Sequence, residues 1–235
     1  MRIVKPAIVR KGELLDTAMR LFASKGYDNT SISDVIAAVG VSKGAFYHHF
    51  TSKEELLAGL AVRYSGQAAR RAQSVLDDQS LDAFERLSIF LSRLRQSKLE
   101  DAAELHAAFA PVFRAENIQL YLQTQTAVNA VIAPMLTRII AEGIADRTFD
   151  TADPQAAAEV ILHTMSSTRP LVAALYSARS QDEVDLALQT LVTRVRYLGT
   201  VIDRILGIPE GSIELTDDET ICAIADTWRT TTEAA

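Results

Sequence analysis

TSISDVIAAVGVSKGAFYHHFTSKEELL, residues 30–57, reads as two short helices joined by a tight turn and followed by the start of a third. Ser31 and Asp34 have the S-x-x-D spacing of a capping box, which predicts a helix start, with the Thr30 hydroxyl beside it. Ile32, Val35, Ile36 and Val39 then fall at i, i+3, i+4 and i+7, a single apolar stripe. Gly40 suits the left-handed residue that ends many helices. Only Val41 separates it from Ser42, which is placed to cap the next helix, so the turn is about as short as a helix-turn-helix requires. In that helix Phe46 and Phe50 stand four apart and face a core, leaving Lys43, Gly44, Tyr47 and His48 on another face. Ser52 and Glu55 predict a further capping box, with Lys53 at the N-terminus of the third helix.

A cation, a glycine, a phenol and an imidazole make a poor core and a good groove surface. Lys43 lies in a first helical turn, where the dipole disfavours a cation unless an anion faces it. A phosphate or a guanine edge supplies that anion. Gly44 lets a partner's backbone come close, and Lys53 with the free N–H groups beside it suits a phosphate. The alternative is a solvated helical hairpin with polar residues outside. Capping boxes separate the two weakly, but G-V-S-x-G, Y-x-H-F and S-K-E-x-L together have few other uses.

Gly40-Val41-Ser42-Lys43-Gly44-Ala45-Phe46-Tyr47-His48-His49-Phe50 and then Ser52-Lys53-Glu54-Glu55-Leu56 closely resemble the tetracycline-repressor-like (TetR) family of bacterial transcription regulators. Upstream, Leu15, Ala18, Met19 and Phe22 form an inner stripe, and Lys25-Gly26-Tyr27 closes the helix as the family's first helix closes. The resemblance covers residues 8–60. It implies phosphate and occasional base contacts at Thr30, Ser31 and Ser33, base reading at Lys43, Gly44 and Ala45 beside the cap Ser42, and backbone contacts at Tyr47, His49 and Lys53. His48 sits at the variable position between the last pair and reaches backbone or base.

The formal net charge of -6 argues against nucleic acid until the chain is divided. Residues 1–63 carry nine Lys and Arg against six Asp and Glu, and the remainder carries fifteen against twenty-four. Arg2, Lys5, Arg10 and Lys11 add a basic arm over residues 1–11 that either lies on DNA or is a disordered terminus. The expected fold is all-α: a three-helix DNA-binding domain over residues 1–60 and a larger helical effector-binding and dimerisation domain over 61–235. Helices are predicted over 53–75, 81–97, 100–114, 117–144, 154–178, 182–206 and 217–230, with Asp153-Pro154 a clear start signal. A lone cysteine, Cys222, excludes an internal disulfide framework. We expect no signal peptide, no apolar run near the roughly 20 residues of a membrane span, and a cytoplasmic protein.

Val184, Leu188, Leu191, Val195, Leu198, Ile202 and Ile205 repeat with spacings of four and three, a seam for helix packing. With Leu171 and Ala174 from the preceding segment they form the expected dimer interface, the alternative being an internal core. The resemblance implies a four-helix bundle between two subunits, and a near-palindromic double-stranded operator with half-sites roughly 34–36 Å apart. Pro111, Pro134 and Pro170 fall inside apparent helices, where they bend the axis and open space for a ligand. The expected lining is Phe109, Phe113, Tyr121, Gln125, Asn129, Met135, His163 and Arg169, for a small, mainly apolar effector.

Other functions find less in the chain. No Gly-rich phosphate loop, nucleophile motif or paired carboxylates suggest an enzyme or a cofactor. A metal-responsive regulator would draw on Glu104, His106 and His163, whose spacing forms no compact ligand motif. A helical adaptor without DNA activity remains the structural alternative.

Overall fold

The computed structural model describes residues 6–100 and 102–217, and their side chains other than those at 68, 72, 94–107 and 115. Arg2, Lys5, Cys222, the side chains of Glu104 and His106, and all but the first residue of the helix predicted over 217–230 lie outside that set. The described residues form helices α1 (Ala7–Lys25), α2 (Ile32–Val39), α3 (Lys43–Tyr47), α4 (Lys53–Leu76), α5 (Ala83–Glu100), α6 (Ala102–Phe113), α7 (Ile118–Ala145), α8 (Pro154–Ser166), α9 (Arg169–Ser177) and α10 (Gln181–Leu206), with a 3-10 turn at Ala115–Asn117. No strand occurs among them.

Local chemistry places the boundaries. Ser31 caps α2 in a reciprocal box with Asp34, and Gly40 ends that helix in the left-handed conformation at φ 71°. Ser42, Ser52, Asp153 and Ser180 accept N–H groups at the starts of α3, α4, α8 and α10. The box at α4 differs from expectation: Ser52 accepts from Glu55 N–H, but the Glu55 carboxylate bonds the backbone and hydroxyl of Thr51. The helix foreseen over 154–178 is two helices. Pro170 lies in the first turn of α9 and does not interrupt a longer one. Ser166 and Thr168 turn their hydroxyls back to the carbonyls of His163 and Met165, and the chain bends there. Pro111 and Pro134 do lie inside α6 and α7. Arg10 and Lys11, expected in an arm, belong to α1.

Two cores organise the packing. One gathers Leu87 and Phe90 of α5, Leu136, Ile139 and Ile140 of α7, Ala158 and Ile161 of α8, and Ile202 and Leu206 of α10. The other joins Leu14, Leu15, Ala18, Met19 and Phe22 of α1 to Val35, Phe46, Phe50, Leu56, Leu57 and Leu60, and is closed by Ala108, Val112, Leu120 and Tyr121 from α6 and α7. Helix α4 runs between them and packs most extensively on α7. Contrary to expectation, α7 is long and apolar enough to cross a membrane by length and composition. Its packing against α4, α5, α6 and α8 reads instead as a core helix.

The four-three seam is mainly internal. Val184 and Leu188 close on Leu175, while Leu198 and Ile202 are buried and Leu191 is partly covered. The exposed apolar side chains of this region are others: Val160 on α8 at 50% exposure and Leu186 and Tyr197 on α10 at 65% and 59%. Ala174 is also exposed, with Leu171 and Val195 intermediate.

After α10 the chain turns back at Gly207 and lies along α10. Asp203, wholly buried, accepts the N–H groups of Gly211 at 2.7 Å and Ile213 at 2.9 Å. Gly199 permits this contact, because a Cβ there would stand 2.3 Å from the Ile213 carbonyl oxygen. Asp203→Ala removes both acceptors and leaves buried donors unmatched, so stability should fall by about 2–4 kcal/mol in urea unfolding; an unchanged midpoint would show that the returning segment is held by Ile213 alone.

Candidate nucleic-acid interface

The candidate reading surface is built on α3, which has only five residues and is held by its neighbours. Phe46 and Phe50 are buried, their rings 6.1 Å apart, and anchor the helix in the core. Lys43, Gly44, Tyr47 and His48 are left on the solvent side, with Tyr47 44% exposed and Ala45 half-buried. The Tyr47 ring is held edge-on against Phe46 at 5.4 Å, and Lys43 Nζ stands 5.9 Å from its centroid. A Cβ on Gly44 would meet nothing within 4 Å. Internal packing therefore does not require glycine there. Ser31, Ser33 and Ser42 are also exposed, although Ser31 and Ser42 already cap their helices.

His49 sits half-buried in a positive neighbourhood. Burial holds its imidazole below its ordinary value, and the charges of His48, Lys11 and Arg10 push the same way. Lys11 Nζ lies 5.4 Å above the Phe50 ring, which brings α1 to this surface. Arg10 is paired with Glu13 at 2.7 Å.

Two expected contact residues are placed otherwise. Thr30 is buried, and its hydroxyl donates to the carbonyls of Gly26 at 2.8 Å and Leu21 at 3.3 Å. Lys53 is turned inward: Nζ donates to the carbonyls of Tyr27 at 2.9 Å and Thr30 at 3.0 Å and lies 4.2 Å over the Tyr27 ring. Its ammonium thus pins the α1–α2 turn to the start of α4. The Tyr27 phenol is pushed well above its usual value, chiefly by burial and then by the charges of Glu54 and Asp28.

The expected effector residues divide. Phe113 stacks on Tyr176 at 5.3 Å and meets Tyr121 at 6.1 Å, while the Arg169 guanidinium covers the Tyr121 ring at 4.8 Å. Phe109 packs on the same core as Phe113. Gln125 and Asn129 hydrogen-bond each other one turn apart on α7, whereas Met135 belongs to the other core and His163 is exposed. A cleft of about 310 Å³ lies elsewhere, between Phe84, Ser88 and Leu91 of α5 and residues 211–214. Sequence reasoning missed Tyr176 and the ion pair of Arg114 with Asp28 at 2.5 Å, which ties the end of α6 to the α1–α2 turn. An exposed cation just after an apolar helix carries no signal of its partner.

Residues 14–60 match the family model "Bacterial regulatory proteins, tetR family", and residues 83–192 match "Tetracyclin repressor-like, C-terminal domain", together about two thirds of the chain. Among curated relatives, the transcriptional repressor KstR2 of Mycobacterium tuberculosis is 30% identical over 115 residues, 48% of this chain and 54% of that protein. The chain spans about half the length or less of the first curated relatives it matches. In structure it is similar to RolR in complex with resorcinol, with a TM-score of 0.57 and 19% identity over 88% of this chain and 98% of that one. It is also similar to FadR of Bacillus subtilis in complex with stearoyl-CoA, with a TM-score of 0.52 and 22% identity over 78% and 97%. These last two likenesses show the fold.

The inward lysine makes a distinct demand. Lys53→Met should lower stability by about 1–2 kcal/mol, after allowance for its partial exposure, and should raise amide exchange in α2. A variant as stable and as protected as the parent would show that the ammonium does not hold the turn.

Proposed function

The chain belongs to the TetR family of bacterial regulatory proteins, and on that premise we propose that it is a dimeric, sequence-specific DNA-binding transcriptional repressor released from its operator by a small molecule. The observation that carries this reading is the exposed face of Lys43, Gly44, Tyr47 and His48, held outward by the buried Phe46 and Phe50. Lys43, Gly44 and Ala45 read base edges. Ser31, Ser33, Ser42, Tyr47, His48 and His49 position the helix on phosphates, a division of labour that most protein–DNA interfaces share. Thr30 and Lys53 serve from within, by fixing the turn that presents α2. Lys11 adds a cation beside His49.

Two copies are needed to place two recognition helices about 34–36 Å apart. Val160 of α8 and Leu186 and Tyr197 of α10 are exposed apolar side chains that a second subunit would cover. The effector enters the helical domain over 61–235; the similar folds RolR and FadR are complexes with resorcinol and stearoyl-CoA. The reading assigns no enzyme chemistry, metal or cofactor, and a bacterial cytoplasmic location without a membrane partner.

Fluorescence anisotropy with promoter DNA flanking the chain's own coding region tests the assignment. Binding should be sequence-selective and fall steeply with salt. Lys43→Ala should change the ranking of operator variants, costing about 1–3 kcal/mol at one base pair and little at others; an equal loss on every variant would remove its base-reading role. Leu186→Glu combined with Tyr197→Glu should convert the dimer to monomer in sedimentation velocity. A dimer that survived both charges would place the interface elsewhere.

A further inference from the structure

Among the described cations of the helical domain, Arg169 is set apart by a buried N–H that has no acceptor. Arg86 and Arg138 both pair with Glu142, Arg138 also reaches Asp77, and Arg114 pairs with Asp28. Arg169 meets no carboxylate among the described residues. Its Nη2 donates to the carbonyl of Arg114 at 2.8 Å, and its plane lies on the Tyr121 ring, but its Nε–H is buried without any acceptor. A partly buried guanidinium with an unmatched donor and no counter-ion is costly, and it persists where an anion is due.

A second observation points to the same place. Thr124 lies one turn beyond Tyr121 on α7, is 7% exposed, and its hydroxyl also has no partner. Beside Arg169 stand three aromatic rings: Tyr121, itself 8% exposed and covered by the guanidinium, and the stacked pair of Phe113 and Tyr176, with Thr124 following Tyr121 by one turn of α7. Guanidinium, hydroxyl and aromatic walls are the parts of a site for a carboxylate carried on a flat apolar body.

We propose that Arg169 is the anion-recognising group of the effector site and that the effector is a small carboxylate with an aromatic or aliphatic body, taken up between Tyr121, Thr124, Phe113 and Tyr176. The carboxylate accepts Nε–H and one terminal N–H of Arg169, and Thr124 serves a further polar atom of the ligand. Because Nε is closed off, uptake draws the guanidinium away from its present seat, and the bond to the Arg114 carbonyl competes with the ligand for the same fork. Arg114 is the residue whose side chain holds Asp28, next to the Tyr27 that Lys53 covers. The site and the α1–α2 turn therefore share one residue. As a route of release this rests on the regulator reading; as a binding site it does not.

Isothermal titration on the full-length protein without DNA tests the assignment with benzoate, 3-phenylpropionate and octanoate, each beside its primary amide. At least one acid should bind, and its amide should bind about tenfold or more weakly, as expected for loss of a charge-assisted bidentate contact. Arg169→Gln should erase the difference between acid and amide, and Arg169→Lys should keep part of it; the melting temperature of each variant without probe verifies that it folds. Equal binding of acids and amides, no binding by any of the acids, or an acid preference that survives Arg169→Gln would overturn the proposal. Operator binding measured on the same preparations keeps the two readings apart. Its absence would count against the regulator alone, and failure of the acids would leave the regulator standing.

Discussion

The helix-turn-helix unit does not close its own core. A unit of about 60 residues buries too little surface to be comfortably stable alone, and here the missing wall comes from the larger domain. Ala108, Val112, Leu120 and Tyr121, from α6 and α7, complete the cluster that begins with Leu14, Leu15 and Phe22 on α1 and holds Phe46 and Phe50. Helix α4 contributes Leu56, Leu57 and Leu60 to that cluster and then continues along α7 into the second core. The orientation of α3 thus depends on where α6 and α7 stand. A protein built to report a ligand needs that dependence, since a reading head with a complete core of its own would be indifferent to its neighbour.

The cations divide between work at the outer surface and work inside. From sequence, the basic charge of residues 1–63 looks like a single DNA-directed resource. In the fold Arg10 is tied to Glu13, Arg63 to Asp16, and Lys53 to two carbonyls and a ring. Lys43 stays beside the exposed Tyr47 ring, and Lys11 lies over the buried Phe50 ring. A count of charges therefore overstates the number of phosphate contacts, and the salt dependence of DNA binding should follow the smaller set.

What was legible in the sequence was local. The Ser31–Asp34 box, the Gly40 turn, the Ser42 cap and the inward pair Phe46 and Phe50 each follow from residues within one or two turns of one another. The largest misplacements involve distant partners. Lys53 bonds carbonyls 23 and 26 residues earlier, an internal engagement that its N-terminal position did not signal. Periodicity found the buried face of α10, but a spacing of four and three says only that a helix has such a face. Val184 and Leu188 turn it to Leu175 of the same chain, and the outward residues Leu186 and Tyr197 lay between the positions that the pattern picked out. The break before α9 had a signal, the Ser166-Ser167-Thr168 run ahead of Pro170, whose hydroxyls compete for backbone carbonyls. Tyr176 beside Phe113, and Asp28 beside Arg114, bring together residues 63 and 86 positions apart, and no local rule reaches that far.

The size of the proposed switch constrains where its free energy resides. Reversing a 1:99 population takes about 5.5 kcal/mol of differential binding. The Arg114–Asp28 pair has side chains 44% and 53% exposed, and such pairs contribute roughly 1 kcal/mol or less. Breaking it cannot by itself separate two states of the reading head, even counted once in each subunit. The apolar contact beneath it is larger: full burial of a Val or Leu side chain is worth about 1.5–3 kcal/mol, and Val112, Leu120 and Tyr121 all insert into the core of the smaller domain. A shift of α6 and the start of α7 that partly uncovers these three in each of two subunits reaches the required scale. In such a switch the ion pair would set the register in which α6 docks on the α1–α2 turn, and the apolar packing would supply the free energy that distinguishes one register from the other.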